Sequence, residues 1–427
     1  MLDIKRIKEN PEEVKALFRV KEIVCDAEVD RILELDGQRR ALIAENEAKK
    51  AEQNKVSKQI PMMKKAGEDT TAIFAEMKAL SDTITANDLV LREVEDEYRT
   101  LMLGLPNLPD ADLKAGGKEN NEAVRFFGDV KTFDFEPKHH VDLCTDLGLI
   151  DYPRGTKLSG SGFWIYRGLG ARLEWALLNY FLDTHLADGY ELVLVPHMLG
   201  FEAGLTAGQF PKFADDVFWL DHKDGEQRRF MLPTAETALV SLHRDEILTE
   251  AELPRKYISY TPCFRREAGS HRAEERGMVR GHQFNKVEMV QYATPEQSDA
   301  MFEELVCKAE ALVKGLGFHF RTVKLAAGDC SASMARTYDI EIQIPSMEGY
   351  KEVSSVSNAR DYQARRGMMR FRREATGKPE FVHTLNGSGL ATSRILPALV
   401  EQNQQKDGSV VVPEVLRKYL GGLEVIK

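Results

Sequence analysis

The sequence has no long hydrophobic run and few cysteines. No stretch reaches the roughly 18 consecutive apolar residues that a transmembrane helix needs, and the opening MLDIKRIKENPEE does not have the pattern of a signal peptide. The five cysteines are scattered and form no Cys-x-x-Cys or Cys/His spacing. We therefore expect a cytoplasmic protein with reduced cysteines and no zinc site.

The sequence also lacks an excess of positive charge. Its formal net charge of −10 argues against broad, nonspecific binding to nucleic acid, so any contact with RNA has to come from a local basic surface. With 427 residues, of which 43% are hydrophobic and 30% are charged, the chain is long enough for more than one domain with a sizeable core.

Glycine and proline are nearly absent from residues 27–105, except near Pro61 and Gly67, and Ala, Glu, Lys and Leu dominate there. Apolar residues recur at heptad spacing in two tracks, which pair in one consistent register when the chain folds back over 61–69. Asn46 faces Asn87 in the middle of this pairing, a polar pair of the kind that fixes register. The pattern predicts an antiparallel two-helix coiled coil about 50 Å long.

Charge is distributed unevenly over this hairpin. The first helix carries eight Lys/Arg against four acids between residues 36 and 65, whereas the second helix is strongly acidic. One basic helix on an acidic protein suits a phosphate backbone. A dimerisation rod is the alternative interpretation of the hairpin. The stretch after it, 106–135, is rich in Pro, Gly and Asn and is typical of a linker.

The segment from Tyr260 to Tyr292 begins and ends as a strand, with a charged, Gly-punctuated loop between. Alternation along the second strand places Phe284, Lys286 and Glu288 on one face. Arg265 lies on the opposing strand, where its planar guanidinium can bridge a carboxylate and a phosphate. The alternative is a surface hairpin with solvated charges.

Two further stretches combine a helix and a strand. Residues 166–187 predict a helix that ends at Asp188-Gly189 and leads into the strand YELVLVP. Residues 383–404 (HTLNGSGLATSRILPALVEQNQ) predict a strand, a Gly turn and an amphipathic helix. Gly387 and Gly389 allow a close approach of the backbone to a ligand, and Arg394 follows on the helix.

These strings together carry a family resemblance. FRREAG and HQFNKVE resemble the second signature motif of class II aminoacyl-tRNA synthetases, and TPCFR…GHQFNKVEMVQ is similar to its form in seryl-tRNA synthetases. Residues 166–196 resemble the first motif, which builds a homodimer interface in that family, and 383–404 resemble the third. The TAE string at 234–236 matches the loop that holds the substrate amine. The hairpin, the opening MLDIKRIKENPE and the exit LPNLPD resemble the family's tRNA-binding arm.

The resemblance implies an α+β fold: a class II synthetase antiparallel sheet of about six to eight strands flanked by helices, with an N-terminal antiparallel two-helix coiled-coil arm. It implies an N-terminal tRNA-binding domain at 1–110, a linker at 111–135 and a catalytic domain at 136–427. The implied activity is ATP-dependent activation of L-serine to seryl-adenylate and transfer to tRNA(Ser), and also to tRNA(Sec), by a bacterial-type cytoplasmic homodimer that uses Mg²⁺.

The resemblance also assigns site residues. The catalytic arginines would be Arg265 and Arg394. The serine site would contain Thr234, Ala235, Glu236, Arg265, Glu288 and Ser388, with Glu288 reading the serine hydroxyl. The ATP site would contain Arg265, Arg266, Glu267, Phe284, Glu352, Val353, Ser354, Ser355 and Arg394. Glu352 and Ser355 would hold Mg²⁺, which prefers hard oxygen ligands. Ser393 stands where the family has glycine, which predicts a slight displacement of the helix.

Two rival functions fit parts of the pattern. One is a synthetase-like ligase that loads an amino acid onto a carrier protein, a branch that lacks the long arm. The other is a catalytically inactive RNA-binding or regulatory paralogue. The presence of the arm disfavours the first, and the retention of Arg265, Glu267, Glu288, Glu352 and Arg394 disfavours the second.

Overall fold

In this computed structural model, which describes residues 1–223, 225–267 and 276–427, the chain divides into two units. The larger unit contains Met1, Arg19–Ile23 and Asn107–Lys427, and the smaller contains Leu2–Phe18 and Val24–Pro106.

The α-helices are α1 (Ile4–Glu9), α2 (Pro11–Val20), α3 (Asp26–Ala66), α4 (Thr71–Gly104), α5 (His140–Asp146), α6 (Tyr152–Ser159), α7 (Leu169–Ala187), α8 (Phe201–Thr206), α9 (Glu236–Leu239), α10 (Ser298–Gly315), α11 (Tyr362–Gly367), α12 (Thr392–Gln402) and α13 (Glu414–Arg417). Single 3-10 turns span Lys118–Asn120, Ala214–Asp216, Glu250–Glu252 and Lys418–Leu420.

The strands are β1 (Glu122–Phe127), β2 (Ile150–Asp151), β3 (Ile165–Tyr166), β4 (Glu191–Leu192), β5 (Met198–Gly200), β6 (Arg229–Met231), β7 (Ile247–Thr249), β8 (Arg255–Phe264), β9 (Gln283–Ala293), β10 (Phe320–Lys324), β11 (Arg336–Gln343), β12 (Tyr350–Arg360), β13 (Arg370–Arg372), β14 (Pro379–Phe381), β15 (His383–Ala391), β16 (Val410–Val411) and β17 (Val425–Ile426).

The smaller unit contains the antiparallel hairpin that the heptad pattern predicts, formed by α3 and α4. α3 continues through Pro61 and is capped by Gly67, whose backbone φ of 75° lies in the left-handed region that suits glycine. The Glu68 amide closes the cap by donating to the Met63 carbonyl at 3.0 Å. The chain therefore turns at Gly67 and not at Pro61, because the glycine cap and not the proline ends the helix.

A polar contact is present in the middle of the hairpin, as predicted, but the hydrogen-bond partner of Asn46 is a different residue. Asn46 donates to Asp88 at 2.8 Å, next to the expected partner Asn87. Nearer the open end, Arg39 and Arg31 form ion pairs with Glu95 and Glu97 at 2.9 and 2.7 Å. The two helices are thus held together by polar contacts as well as by apolar side chains.

Eight strands form the main sheet of the larger unit, in the order β1-β10-β11-β12-β15-β9-β8-β4. Neighbouring strands are antiparallel except β4, which runs parallel to β8. β8 and β9 pair without a register shift from Arg255↔Tyr292 to Phe264↔Gln283. The predicted antiparallel sheet flanked by helices is confirmed.

The structure differs from the sequence prediction at residues 111–135, which composition marks as a linker. β1 lies inside this segment and pairs with β10 at the edge of the main sheet. Just before it, the amides of Asn107 and Asp110 donate to the carbonyls of Ala332 and Ala335. The strand escaped the sequence analysis because it has only six residues and follows a Gly- and Asn-rich stretch that is typical of a linker.

Two apolar clusters cover the two faces of β9. Val287 and Met289 face the cluster built by α7, α10 and α12, whereas Val290 and Tyr292 face a second cluster that includes Phe210. Lys286 and Glu288 share the second face, so alternation brings them to the side where a cavity opens.

Among the described residues, no helix is both long and apolar enough to cross a membrane.

Candidate active site

A cavity of about 540 Å³ lies on the face of the sheet that carries Lys286 and Glu288. A smaller cavity of about 90 Å³ adjoins it, since the two share several lining side chains. The predicted residues that line the larger cavity are Thr234, Glu236, Arg265, Glu267, Glu288, Glu352, Ser355 and Ser388. The smaller cavity adds Phe284, Val353 and Arg394.

Glu288 is the most deeply buried carboxylate of this site, with only 1% of its side chain exposed. One of its oxygens lies 2.5 Å from the Lys286 ammonium, and the other accepts a hydrogen bond from the Asn386 amide at 3.1 Å. Lys286 also donates to the Thr234 hydroxyl at 2.7 Å. Strands β9 and β15 and the loop before α9 therefore meet at one ion pair.

Glu236 begins α9 and presents a second carboxylate to the cavity. Burial, followed by the charge of Glu288, raises its pKa to about 7, while Lys286 and a hydrogen bond from Gln363 act in the opposite direction. The Gln363 amide donates to Glu236 at 3.0 Å. A cation placed beside Glu236 would favour its ionised form, so the site is suited to an ammonium group.

Arg265 follows the last residue of β8 and lines both cavities. Its Nε donates to the Pro233 carbonyl at 3.3 Å, and its guanidinium lies 5.1 Å from the centre of the Phe284 ring. Nearby, Glu267 and Arg280 form an ion pair at 2.5 Å. Arg265 is thus held by backbone and an aromatic ring, and its guanidinium is aimed at the junction of the cavities.

Arg394, in the first turn of α12, reaches across to β12. It donates to the Glu352 carbonyl oxygen at 2.6 Å, and its guanidinium lies 3.5 Å from the Glu352 carboxylate. Ser393 beside it is buried and lines the smaller cavity. The predicted displacement of this helix stays a prediction.

Asp339 of β11 is paired across the sheet with Ser355 of β12. Burial, followed by the charge of Glu352, raises the pKa of Asp339 well above its ordinary value, and a hydrogen bond from Ser355 opposes this. One Asp339 oxygen is buried without a hydrogen-bond partner among the described residues. Carboxylates and a hydroxyl are the hard donors that Mg²⁺ takes, so Glu352, Ser355 and Asp339 fit a magnesium ion.

Three predicted residues do not line either cavity. Arg266 is exposed, and its side chain donates to the Asp215 carbonyl at 3.3 Å. Ala235 is buried in the second apolar cluster. Ser354 is buried too, and its hydroxyl donates to the Ser388 carbonyl at 2.7 Å. Ser354 points away because it alternates with Ser355 and Ser357, which line the larger cavity, and shares the face of Val356 in the first apolar cluster.

The two glycines of β15 face the core. A Cβ on Gly387 would lie 3.1 Å from Val356, and one on Gly389 would lie 3.0 Å from His185. Such distances are too short for ordinary packing, so these positions exclude larger residues. The expectation that they allow a ligand to approach stays a prediction, and the side chains that this part of β15 turns toward the larger cavity are Asn386 and Ser388.

Three lining residues received no role in the sequence analysis, Lys286, Asn386 and Arg280, and neither did Asp339 beside Ser355. Asn386 lies two residues before Ser388 on the same face of β15, so alternation could have identified it. Asp339 carried no such signal, because its approach to Ser355 depends on the pairing of β11 with β12.

Comparison with known families agrees with this geometry. The family model described as tRNA synthetase class II core domain (G, H, P, S and T) matches residues 218–403. The model described as Seryl-tRNA synthetase N-terminal domain matches residues 1–109. The chain therefore has the fold of a class II aminoacyl-tRNA synthetase.

Relatives that match over the full length narrow this class. The chain is 59% identical over 423 residues to Serine--tRNA ligase 2 of Clostridium acetobutylicum, with 99% of each chain covered. It is 46% identical over 428 residues to Serine--tRNA ligase of Nitratidesulfovibrio vulgaris, with 100% of each covered. The crystal structure of seryl-tRNA synthetase from Pyrococcus horikoshii complexed with ATP superposes with a TM-score of 0.92 at 34% identity, covering 100% of this chain and 99% of that one. This chain belongs to the seryl-tRNA synthetase family.

Proposed function

We propose that this protein activates L-serine with ATP to give seryl-adenylate and transfers the seryl group to the 3′ end of tRNA(Ser). The observation that carries the proposal is the composition of the larger cavity. It holds one carboxylate suited to an ammonium group, an arginine suited to a carboxylate and a second, deeply buried carboxylate suited to a hydroxyl, which are Glu236, Arg265 and Glu288. Serine carries the three matching groups, an ammonium, a carboxylate and a hydroxyl, on its three carbons.

In this proposal the amino acid binds between α9 and β9. Its ammonium group lies against Glu236 and the Thr234 hydroxyl, and its carboxylate lies against Arg265. Its hydroxyl donates to Glu288, while Ser388 closes the pocket. The pKa of about 7 at Glu236 supports this orientation, because an incoming ammonium would stabilise the ionised carboxylate.

ATP would occupy the junction and the smaller cavity. Its adenine would stack on Phe284, and Arg265 and Arg394 would lie against the phosphates beside Glu267 and Val353. The roles that the resemblance assigns to Arg266 and Ser354 remain predictions, and contact with ATP would require both side chains to reorient. Mg²⁺ would be held by Glu352 and Ser355, with Asp339 beside them, and when bound it would neutralise phosphate charge.

The reaction would proceed in two displacements. A serine carboxylate oxygen attacks the α-phosphorus, forming a new P–O bond as the bond to pyrophosphate breaks. The 3′-terminal hydroxyl of the tRNA then attacks the carbonyl carbon of seryl-adenylate, and AMP leaves. The nucleophiles are thus groups of the substrates, and no side chain is needed as one. Arg265 and Arg394 contribute by holding the reactants in line and by stabilising negative charge.

Exchange of pyrophosphate into ATP, measured with each of the twenty standard amino acids, tests the proposal. We expect exchange with serine and charging of a tRNA(Ser) transcript. A carrier-protein ligase would show exchange without charging, and an inactive paralogue would show exchange with none of the amino acids. Either result would overturn the proposal. The same charging assay with a tRNA(Sec) transcript tests the second acceptor.

We further propose that residues 1–110 form a tRNA-binding domain that uses the basic helix α3. Residues 111–135 then lead into a catalytic domain at 136–427. We also propose that the enzyme is cytoplasmic. The exposed Lys50, Lys55 and Lys58 of α3 support the tRNA assignment.

We propose a homodimer that forms through the face of α7 and the strand after it. Trp175, Leu194 and Met198 support this, since their exposed fractions are 53%, 78% and 46% although all three are large and apolar.

A further inference from the structure

Four charged side chains surround Thr234 in the larger cavity, and their charges balance. Glu236 and Glu288 are carboxylates, and Lys286 and Arg265 are cations. The other acids and bases at the junction pair with each other, since Glu267 contacts Arg280 and Glu352 contacts Arg394. These four side chains therefore supply as many carboxylates as cations to the amino-acid end of the cavity, which Asp216 also lines.

A zwitterionic serine uses only part of this set. Under the proposed function, its ammonium group meets Glu236 and its carboxylate meets Arg265. Glu288 and Lys286 then remain as a pair that no charge of the substrate neutralises. The hydroxyl of serine would thus be read by a carboxylate that already has a counter-ion.

We infer that Lys286 is a specificity-determining residue: its ammonium group is the permanent counter-ion of Glu288 and holds this carboxylate ionised and oriented as the acceptor for the substrate hydroxyl. This inference rests on the proposed function of the same cavity. Lys286 is only 7% exposed, and both of its polar contacts are made inside the cavity.

Both ends of the pair are fixed by neighbouring elements. The Lys286 ammonium is held by the Thr234 hydroxyl at 2.7 Å, and Glu288 receives the Asn386 amide at 3.1 Å on its other oxygen. Among the residues that the structure describes, the titratable groups that face Glu288 are Lys286 on its own strand, Glu236 on α9, Cys263 on β8 and Arg265 after β8. Lys286 is the one that touches it.

The pair changes the expected discrimination against alanine. If Glu288 stayed ionised without a counter-ion, bound alanine would leave a buried charge unpaired, which is a severe penalty; a Glu288 that takes up a proton instead would lose most of this discrimination. With Lys286, alanine loses one hydrogen bond to a charged acceptor, which corresponds to a factor on the order of 10 to 150. Threonine keeps the hydroxyl, so its rejection depends on the space around Ser388.

Lys286→Met should convert Glu288 into an unpaired carboxylate beside Glu236. Two nearby carboxylates without a cation cannot both ionise readily, so one of them takes up a proton near neutral pH. We expect kcat/KM for serine to fall by about 100-fold or more and the serine-to-alanine ratio to approach one. The acid limb of the pH profile should move upward by about one pH unit or more.

The experiment measures pyrophosphate exchange with serine and alanine from pH 6 to pH 9 for the wild type, Lys286→Met and Lys286→Arg. Lys286→Arg keeps the charge and should keep the acid limb in place even if the rate falls. Lys256→Met is the matched control. It removes a Lys–Glu ion pair, with an N–O distance of 2.7 Å, whose lysine lies on the neighbouring strand β8 and outside the cavity. Thermal unfolding checks that each variant folds.

A double variant separates the counter-ion from a purely structural role. In the wild type, Glu288→Gln should reduce the rate of serine-dependent exchange strongly. In Lys286→Met, the same substitution should reduce the rate by less than about one third of that factor, because the charge pair is already broken. Equal factors, an unchanged serine-to-alanine ratio and an unmoved acid limb would overturn the inference. Absence of serine exchange in the wild type would instead overturn the proposed function.

Discussion

At the scale of single residues, Arg265 is one of the side chains that line both cavities. A guanidinium at this position can contact a carboxylate and a phosphate together, whereas an ammonium group acts as a point charge. Its contribution should therefore grow as negative charge builds up between the two reactants.

We predict that Arg265→Ala lowers kcat of serine-dependent exchange by about 100- to 1000-fold and raises the KM for serine by a smaller factor. Arg265→Lys should not restore the rate. Arg255→Ala, at the opposite end of β8 where Arg255 pairs with Glu252, is the control and should change exchange little. A wild-type rate in the Arg265→Ala variant would remove this arginine from the mechanism.

At the scale of elements, one buried carboxylate joins the three segments that resemble the class II motifs. Glu174 of α7 accepts hydrogen bonds from Asn285 of β9 at 2.7 Å and from Thr392 at the start of α12 at 2.5 Å. Asn285 lies between Phe284 and Lys286, and Thr392 lies two residues before Arg394. The contact therefore fixes the strand and the helix that carry cavity residues.

Burial raises the pKa of Glu174 from its ordinary 4.5 to about 7, although hydrogen bonds from Thr392 and Asn285 oppose the shift. A carboxyl whose pKa is higher in the folded state loses its proton first in the unfolded chain. The contribution of Glu174 to the free energy of unfolding therefore falls as the pH rises from about 4.5 to about 7, by up to about 3 kcal/mol.

We predict that Glu174→Gln, which cannot ionise, becomes more stable relative to the wild type over this pH range. Urea unfolding at pH 5 and pH 7.5 measures the difference, and it should increase toward the higher pH. Glu303→Gln, an exposed position on α10, is the control. A difference that is the same at both pH values would contradict the prediction.

At the scale of the whole molecule, the hairpin of α3 and α4 and the cavity belong to different units of the chain. In the proposed mechanism, the adenylate reaction uses only groups of the larger unit. We predict that deletion of residues 41–96, with the helices rejoined, leaves serine-dependent pyrophosphate exchange within a few-fold of the wild type and abolishes charging of tRNA(Ser). Loss of exchange in a folded variant, or retained charging, would show that the hairpin has another role.

The same assignment predicts an electrostatic contribution from α3. Changing the exposed Lys50, Lys55 and Lys58 to Glu should weaken tRNA binding and reduce the slope of log Kd against log salt concentration. Changing Lys131, Lys157 and Lys406 to Glu produces the same net charge on exposed positions of the larger unit. If both triple variants bind tRNA equally, then net charge and not the hairpin sets the affinity.

The proposed dimer face offers a further test. Leu194→Glu places a charge on a side chain that is 78% exposed in the single chain and would be covered in the dimer. We predict that sedimentation detects monomers for this variant and dimers for the wild type. Phe126→Glu, on the opposite edge strand β1, is the control and should remain dimeric. A dimeric Leu194→Glu variant would place the interface elsewhere.

The sequence was sufficient for the helical hairpin and, through the motifs that resemble those of class II synthetases, for the fold class and eleven of the residues that line the two cavities. Periods of two and seven residues are local properties, so they place Glu288 on the face of Phe284 and pair the two tracks of the hairpin. The linker-like composition of 111–135 hid β1, because an edge strand needs little hydrophobic signal. Likewise the sequence located the turn of the hairpin only to 61–69, whereas the structure ends α3 at Ala66 with its cap at Gly67.

Which side chains contact each other depends on the tertiary structure. Lys286 and Thr234 lie 52 positions apart, and Asn386 and Glu288 lie 98 apart, yet each pair is hydrogen bonded. Strand alternation defines the face of a residue, but the register between distant strands defines its neighbours. For that reason Lys286 could be placed on the right face from the sequence, whereas its pairing with Glu288 and Thr234 required the packed sheet.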